Sequence, residues 1–182
     1  MTDSSLPRSL DELTLGSALT MEDLVSRTSL AELVSGTSAL FDLPVRLFGG
    51  TGTMLADVPG TTPALHNYLG TTPTGRRSVI ATVEAVKTAD PAEAILWLQP
   101  CPSGLRYAVT AIRYDGRRIG KAVVGPYMVP ELEAPPQALL ELAHDLDATK
   151  LAVHWREVRK ASDATVEKLI KHLLNVLESR IL

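Results

Sequence analysis

An α+β domain, with an antiparallel sheet flanked by helices, is the fold class this 182-residue sequence predicts. Three observations predict it. The stretch from 105 to 127 reads as two strands joined by Asp115-Gly116. That dipeptide suits a two-residue hairpin turn, because such a turn needs positive φ and glycine supplies it cheaply. Residues 73–89 and 162–182 repeat their apolar positions at three and four, the spacing of one helical face. Leu43-Pro44 and Asp90-Pro91 divide helical from strand-like segments, since a residue before proline avoids helical angles.

In chain order, residues 1–19 read as a flexible tail and residues 20–182 as the domain. Capping pairs stand at Ser9/Glu12, Thr20/Asp23 and Ser29/Glu32. The last pair opens a helix whose inner side takes Leu30, Leu33, Val34, Leu40 and Phe41. VRLFGGTGTMLADV follows as strand, glycine turn and strand. Residues 63–70 fit a helical turn around Leu65, His66 and Tyr68. The helix of 73–89 then carries Val79, Ile80, Val83 and Val86. Three strands come next, over 94–99, 105–114 and 117–127. The second places Leu105, Tyr107, Val109 and Ala111 on one face. Pro135-Pro136 starts a helix lined by Leu139, Leu140, Leu142 and Ala143, and a segment over 149–160 carries Trp155 and Val158. The last helix sets Val166, Leu169, Ile170, Leu173, Leu177 and Ile181 in one broad stripe. Such a helix either folds back on its own domain or pairs with a second copy.

Composition narrows the function classes. Apolar residues make up 45 % and charged residues 21 %, the balance of a soluble globular chain long enough to bury a core. A formal charge of −3 argues against a protein that coats nucleic acid. One cysteine makes no internal disulfide and asks for no oxidising compartment. No apolar run approaches the roughly 18 residues of a membrane span, and MTDSSLPRSLDEL has neither the basic start nor the apolar core of a signal peptide. The expected location is the cytoplasm.

Chemistry-bearing motifs are few. FGGTGTM lacks the Lys-Ser/Thr of a phosphate loop and leads into a strand, so it reads as a hairpin turn. His66, His144, His154 and His172 form no metal-ligating pair. Glu141 and His144 have di-iron spacing without the second copy such a site needs. No G-x-S-x-G surrounds Ser103, and no metal or cofactor is expected. Cys101, flanked by prolines, reads as a packed sulfur; a Cys–His enzyme is the rival and requires its exposure. Arg106, Arg113, Arg117, Arg118 and Lys121 gather around the Asp-Gly hairpin, with Arg76-Arg77 as a further pair. They form either a solvated tip or a docking surface for an acidic protein face.

The phrases FDLPVRLF, TPTGRRSVIATVEAV, ILWLQPCPSGL and RYAVTAIRYDGRRIGKAVVGPYMV, in that order, resemble the PocR-type sensory domain. This is a PAS-like ligand-binding module of bacterial signalling and transcription proteins. The resemblance covers about residues 20–182 and is most specific over 92–129. It implies a small apolar or hydroxylated metabolite between sheet and helices, with Trp97, Cys101, Leu105, Tyr107 and Val109 as the candidates either to line that pocket or to pack in the core. Relatives carry further cysteines where this chain reads ALHNYL and RRSVIA, so Cys101 stands without that cluster. No helix-turn-helix segment follows the last helix, so output is expected to pass through another polypeptide.

The expected function is a non-enzymatic regulatory module that binds a protein partner, with a small metabolite as its controller. Arg113, Arg117, Arg118 and Lys121 are the docking candidates. Val166, Ile170, Leu173 and Leu177 are the candidates for self-association or signal relay. The alternatives are a ligand-free scaffold docking on a response regulator or small GTPase, and an enzyme using Cys101.

Overall fold

The structure, a computed structural model, describes residues 19–181. The tail expected over 1–19 and the Ser9/Glu12 cap therefore lie outside the described residues, apart from Leu19. Seven helices and five strands follow: α1 Met21–Leu24, α2 Arg27–Phe41, β1 Val45–Gly49, β2 Met54–Ala56, α3 Ala64–Leu69 and α4 Pro73–Thr88. Then come β3 Leu96–Leu98, β4 Arg106–Tyr114, β5 Arg117–Tyr127, α5 Gln137–Leu142, α6 Ala148–Arg156 and α7 Asp163–Ile181.

Local chemistry sets most of these boundaries. Thr20 and Asp23 form the reciprocal capping box that starts α1. Ser26, rather than Ser29, caps α2 by accepting from the Ser29 backbone N–H, which moves the start of that helix one turn earlier. Its other end stops at Asp42, in the left-handed region just before Leu43-Pro44. Leu40 points outward with 66 % of its surface exposed, whereas Leu30, Leu33 and Val34 are buried. The Asp115-Gly116 turn has φ of 47° and 72°, both positive, as the hairpin twist requires.

The sheet is antiparallel throughout, in the order β2-β1-β5-β4-β3. The antiparallel sheet with flanking helices expected from the sequence is therefore present. Its central strand is β5, which pairs with β4 on one side and with β1 on the other, Val45 opposite Val124 and Leu47 opposite Ala122. On one face, Val45, Leu47, Ala108, Ile112, Ala122 and Val124 meet α1, α2 and α7. Met21, Leu30, Leu33, Val34, Val166, Leu169, Ile170, Leu173 and Leu177 fill that space. Thus the stripe of the last helix packs inside its own chain, the first of the two arrangements its pattern allowed.

Two polar contacts fix the start of α7. Asp163 accepts from the Arg106 guanidinium at 2.5 Å and from the Tyr127 hydroxyl at 2.9 Å. At the far end, Arg180 donates to the Ser29 carbonyl at 2.7 Å. A second core lies beside the sheet, where Leu65, Leu69, Leu105 and Met128 pack with Leu139, Leu151 and Trp155 of the later helices. Leu140 lies outside it, 38 % exposed.

Candidate ligand-binding site

The other face of the sheet is incompletely covered. Period-two alternation places Arg46 and Phe48 of β1, Val123 of β5 and Tyr107 and Val109 of β4 on it. Helices α3 and α4 lie across this face. They meet so closely at Gly75 that a Cβ there would stand 2.1 Å from the Leu69 carbonyl oxygen, so only glycine permits the approach. Although α4 is an amphipathic helix, its apolar stripe is largely open. Val86 is 8 % exposed, but Val83 is 51 % and Ile80 is 56 %.

Between α4 and the sheet lies a cleft of about 720 Å³. Phe48, Val79, Val83, Val86 and Val123 form its apolar walls. Arg46, Asp57, His66, Asn67, Lys87 and Tyr107, with Thr51, Thr53 and Thr62, supply its polar groups. A concave, mostly apolar site with a few converging polar groups is the usual form of a small-molecule pocket.

Electrostatically the polar end is self-compensated. Arg46 Nε lies 3.2 Å from Asp57 Oδ1, and both side chains are about a quarter exposed, at 20 % and 32 %. Neighbouring His66 is buried, and its Nε2 has no hydrogen-bond partner. Burial first, and the Arg46 charge second, push its pKa down to about 4, so the ring is neutral at pH 7. An unpartnered buried nitrogen costs on the order of 1–3 kcal/mol. The Tyr107 phenol is pushed upward, chiefly by burial, and stays protonated as a donor.

At the other end of α4, Lys121 of β5 closes the helix. Its Nζ donates to the carbonyls of Ala89, at 2.9 Å, and Lys87, and it sits 5.7 Å from the centre of the Phe48 ring. Burial, then the Arg118 charge, lowers the Lys121 pKa. Arg118 pairs with Asp90, just beyond the helix. A cation over the last carbonyls of a helix is the favourable end for the helix dipole.

The profile of a family described as a sensory domain found in PocR matches residues 23–181. That span runs from α1 to α7 and contains every wall of the cleft. The chain belongs to the PocR sensory-domain family. No curated protein matches it. Membership makes this a signalling domain of the ligand-sensing kind, and such a family suggests a non-catalytic role. Among the described residues, no helix is long and apolar enough to cross a membrane, and no cluster of three or more His, Cys, Asp or Glu could hold a metal ion.

Of the lining residues expected for the PocR-type domain, Tyr107 borders the cleft, and Val109 is buried on the same sheet face beside it. Trp97 does not reach it. Directly opposite Ala108, Trp97 faces the α2–α7 core, while Leu96 and Leu98 take the cleft side. Leu105 precedes β4 and is buried in the second core near Trp155, whose indole donates to the Ser103 carbonyl at 3.0 Å. Cys101 is buried in the turn after β3, 4 % exposed and outside the cleft lining. Catalysis by this thiol would require the opposite.

The basic group divides similarly. Arg113, Arg117 and Arg118 are exposed at the hairpin, but Lys121 is 5 % exposed and already bonded to the α4 terminus. Val166, Ile170, Leu173 and Leu177 lie under α7 in the core. The residues the sequence reading passed over are Arg46, Phe48, His66, Val79, Val83 and Val86. Their signal was present in part: Arg46 and Phe48 alternate with the core residues Val45 and Leu47, so both had to face the other side.

Proposed function

We propose that this PocR-type domain is a non-enzymatic regulatory module that binds a small apolar or hydroxylated molecule in the cleft beneath α4 and hands its state to a protein partner. The observation that carries the reading is His66, neutral, buried and unpartnered at the edge of an apolar cleft on the sheet. A ligand acts only through a difference in affinity for two states of the domain. The element suited to differ is α4, which lines the cleft with Val79, Val83 and Val86 and ends on Lys121. Arg118, which pairs with Asp90 there, belongs to the exposed hairpin with Arg113 and Arg117. Displacement of α4 would therefore alter the surface offered to a partner.

Native mass spectrometry of protein purified without added ligand tests this reading. The expected spectrum carries a non-covalent mass that disappears on denaturation and is absent from Val83→Trp, which fills the cleft from its half-exposed side. A retained mass that is unaffected by Val83→Trp would place binding elsewhere and reject the cleft. The same spectra report whether the chain associates with itself.

A further inference from the structure

Helix α4 has a second side that the cleft does not use. Gly75, Thr82 and Val86 are buried against the domain, and Val79, Val83 and Lys87 border the cleft. At 3.6 residues per turn, Arg77, Ile80, Ala81 and Glu84 fall on the side turned away from the sheet. All four are exposed, Ile80 to 56 %. This side is a short apolar step, Ile80 and Ala81, set between a cation and an anion.

The pattern matches itself when turned end for end. Arg77 and Glu84 stand seven residues apart, about 10 Å along the axis, equally far from the midpoint between Ile80 and Ala81. A second α4 laid antiparallel across the first, with the two-fold axis at that midpoint, sets Arg77 level with Glu84 twice. It also sets Ile80 level with Ala81 twice, and the small alanine lets the axes approach to the roughly 8–10 Å of packed helices. Parallel packing would set Arg77 against Arg77, and like charges there repel.

The other cations of the helix leave this match intact. Arg76 Nε donates to the Gly70 carbonyl at 3.2 Å, back towards the end of α3. Lys87 is on the cleft side and falls level with Thr74 in the antiparallel pair. Arg77 donates along its own helix to Thr74, at 3.4 Å. Among the described residues, the Glu84 carboxylate makes no ion pair.

We infer that the partner of this face is a second copy of the chain, docked through antiparallel α4 helices across Ile80 and Ala81 and held in register by two Arg77–Glu84 pairs. A strip one helix wide and about 24 Å long is smaller than the roughly 800 Å² per partner of a standard stable interface. The dimer is therefore weak and reversible. Arg77, Ile80 and Glu84 lie outside the cleft lining, so self-association stands or falls separately from ligand binding.

Sedimentation equilibrium of the full chain, from about 10 µM to about 1 mM, tests this. The expected result is a reversible monomer–dimer equilibrium that Ile80→Asp abolishes. Arg77→Glu and Glu84→Arg should each weaken association roughly tenfold, because both exposed pairs become like-charged. Mixed in equal amounts, these two variants should recover the wild-type affinity, since every facing pair is again opposite in sign. A wild type that stays monomeric throughout overturns the inference and leaves this side to a different protein. A dimer indifferent to Ile80→Asp, or one that the mixture fails to rescue, also overturns it and places self-association on another surface.

Discussion

The two faces of the sheet carry helices of nearly the same pattern and end in different states. On one face, α7 repeats Val166, Leu169, Ile170, Leu173 and Leu177, and all five are buried. On the other, α4 repeats Val79, Ile80, Val83 and Val86 at the same spacing, yet only Val86 is buried. The difference lies opposite the helix. Beneath α7 are flat, small or branched side chains such as Ala108, Ala122 and Val124, which let the helix settle. Beneath α4 are Arg46, Phe48 and Tyr107, and the side of the helix buried there is Gly75, Thr82 and Val86, which leaves Ile80 and Val83 half-exposed. The apolar stripe alone does not fix which side of α4 turns inward, since a threonine and a glycine take that place.

The largest effect separating the faces should come from Leu173→Ala. Truncating a fully buried leucine leaves a cavity and should lower unfolding stability by about 2–5 kcal/mol, read by chemical denaturation. A loss under 1 kcal/mol would show that the α7 face is as loose as the α4 face.

Acid should act next, on the cleft face through His66. The folded pKa of His66, about 4, is below the ordinary histidine value of 6.5. Above pH 6.5 both folded and unfolded states hold the ring neutral, and the stability is complete. As pH falls from 6.5 towards 4 the unfolded chain takes the proton first, and up to about 3 kcal/mol is lost. In His66→Leu that portion of the pH dependence should vanish. An identical acid profile in the variant would place the ring outside this account.

The smallest effect is expected at Val83→Ala. Its side chain stands half in solvent, so unfolding stability should move by no more than about 0.5 kcal/mol. A cost above 2 kcal/mol would mean that α4 is packed down and the cleft closed. Leu173 and Val83 have the same place in their helical patterns, and this pair of substitutions measures what the patterns conceal.

Much of this architecture was legible in the sequence because local chemistry fixes it. Asp115-Gly116 could satisfy its backbone angles in very few ways, and Thr20/Asp23 capped the helix it preceded. The cleft was harder to read. His66 stood alone in the sequence, and its significance arises from Arg46, twenty positions away, and from burial that periodicity does not report. Lys121 looked like part of a basic surface because charge usually marks solvent. Its bonds to the end of α4 come from strand β5 passing beneath that helix, a long-range fact. Trp97 could be read as lining or as core, and the side it takes depends on its register against Ala108, which is set by where β3 begins.

The strand order has one more consequence, in time rather than space. Arg46 and Phe48 on β1 and Tyr107 on β4 reach a common surface only because β5 lies between their strands. During synthesis, then, the first strand emerges long before its central neighbour exists. Bringing residues 45 and 124 together closes a loop whose length-dependent entropy is about 4 kcal/mol. Until Tyr127 has left the ribosome, the chain holds nearly every residue of its cleft and has no cleft.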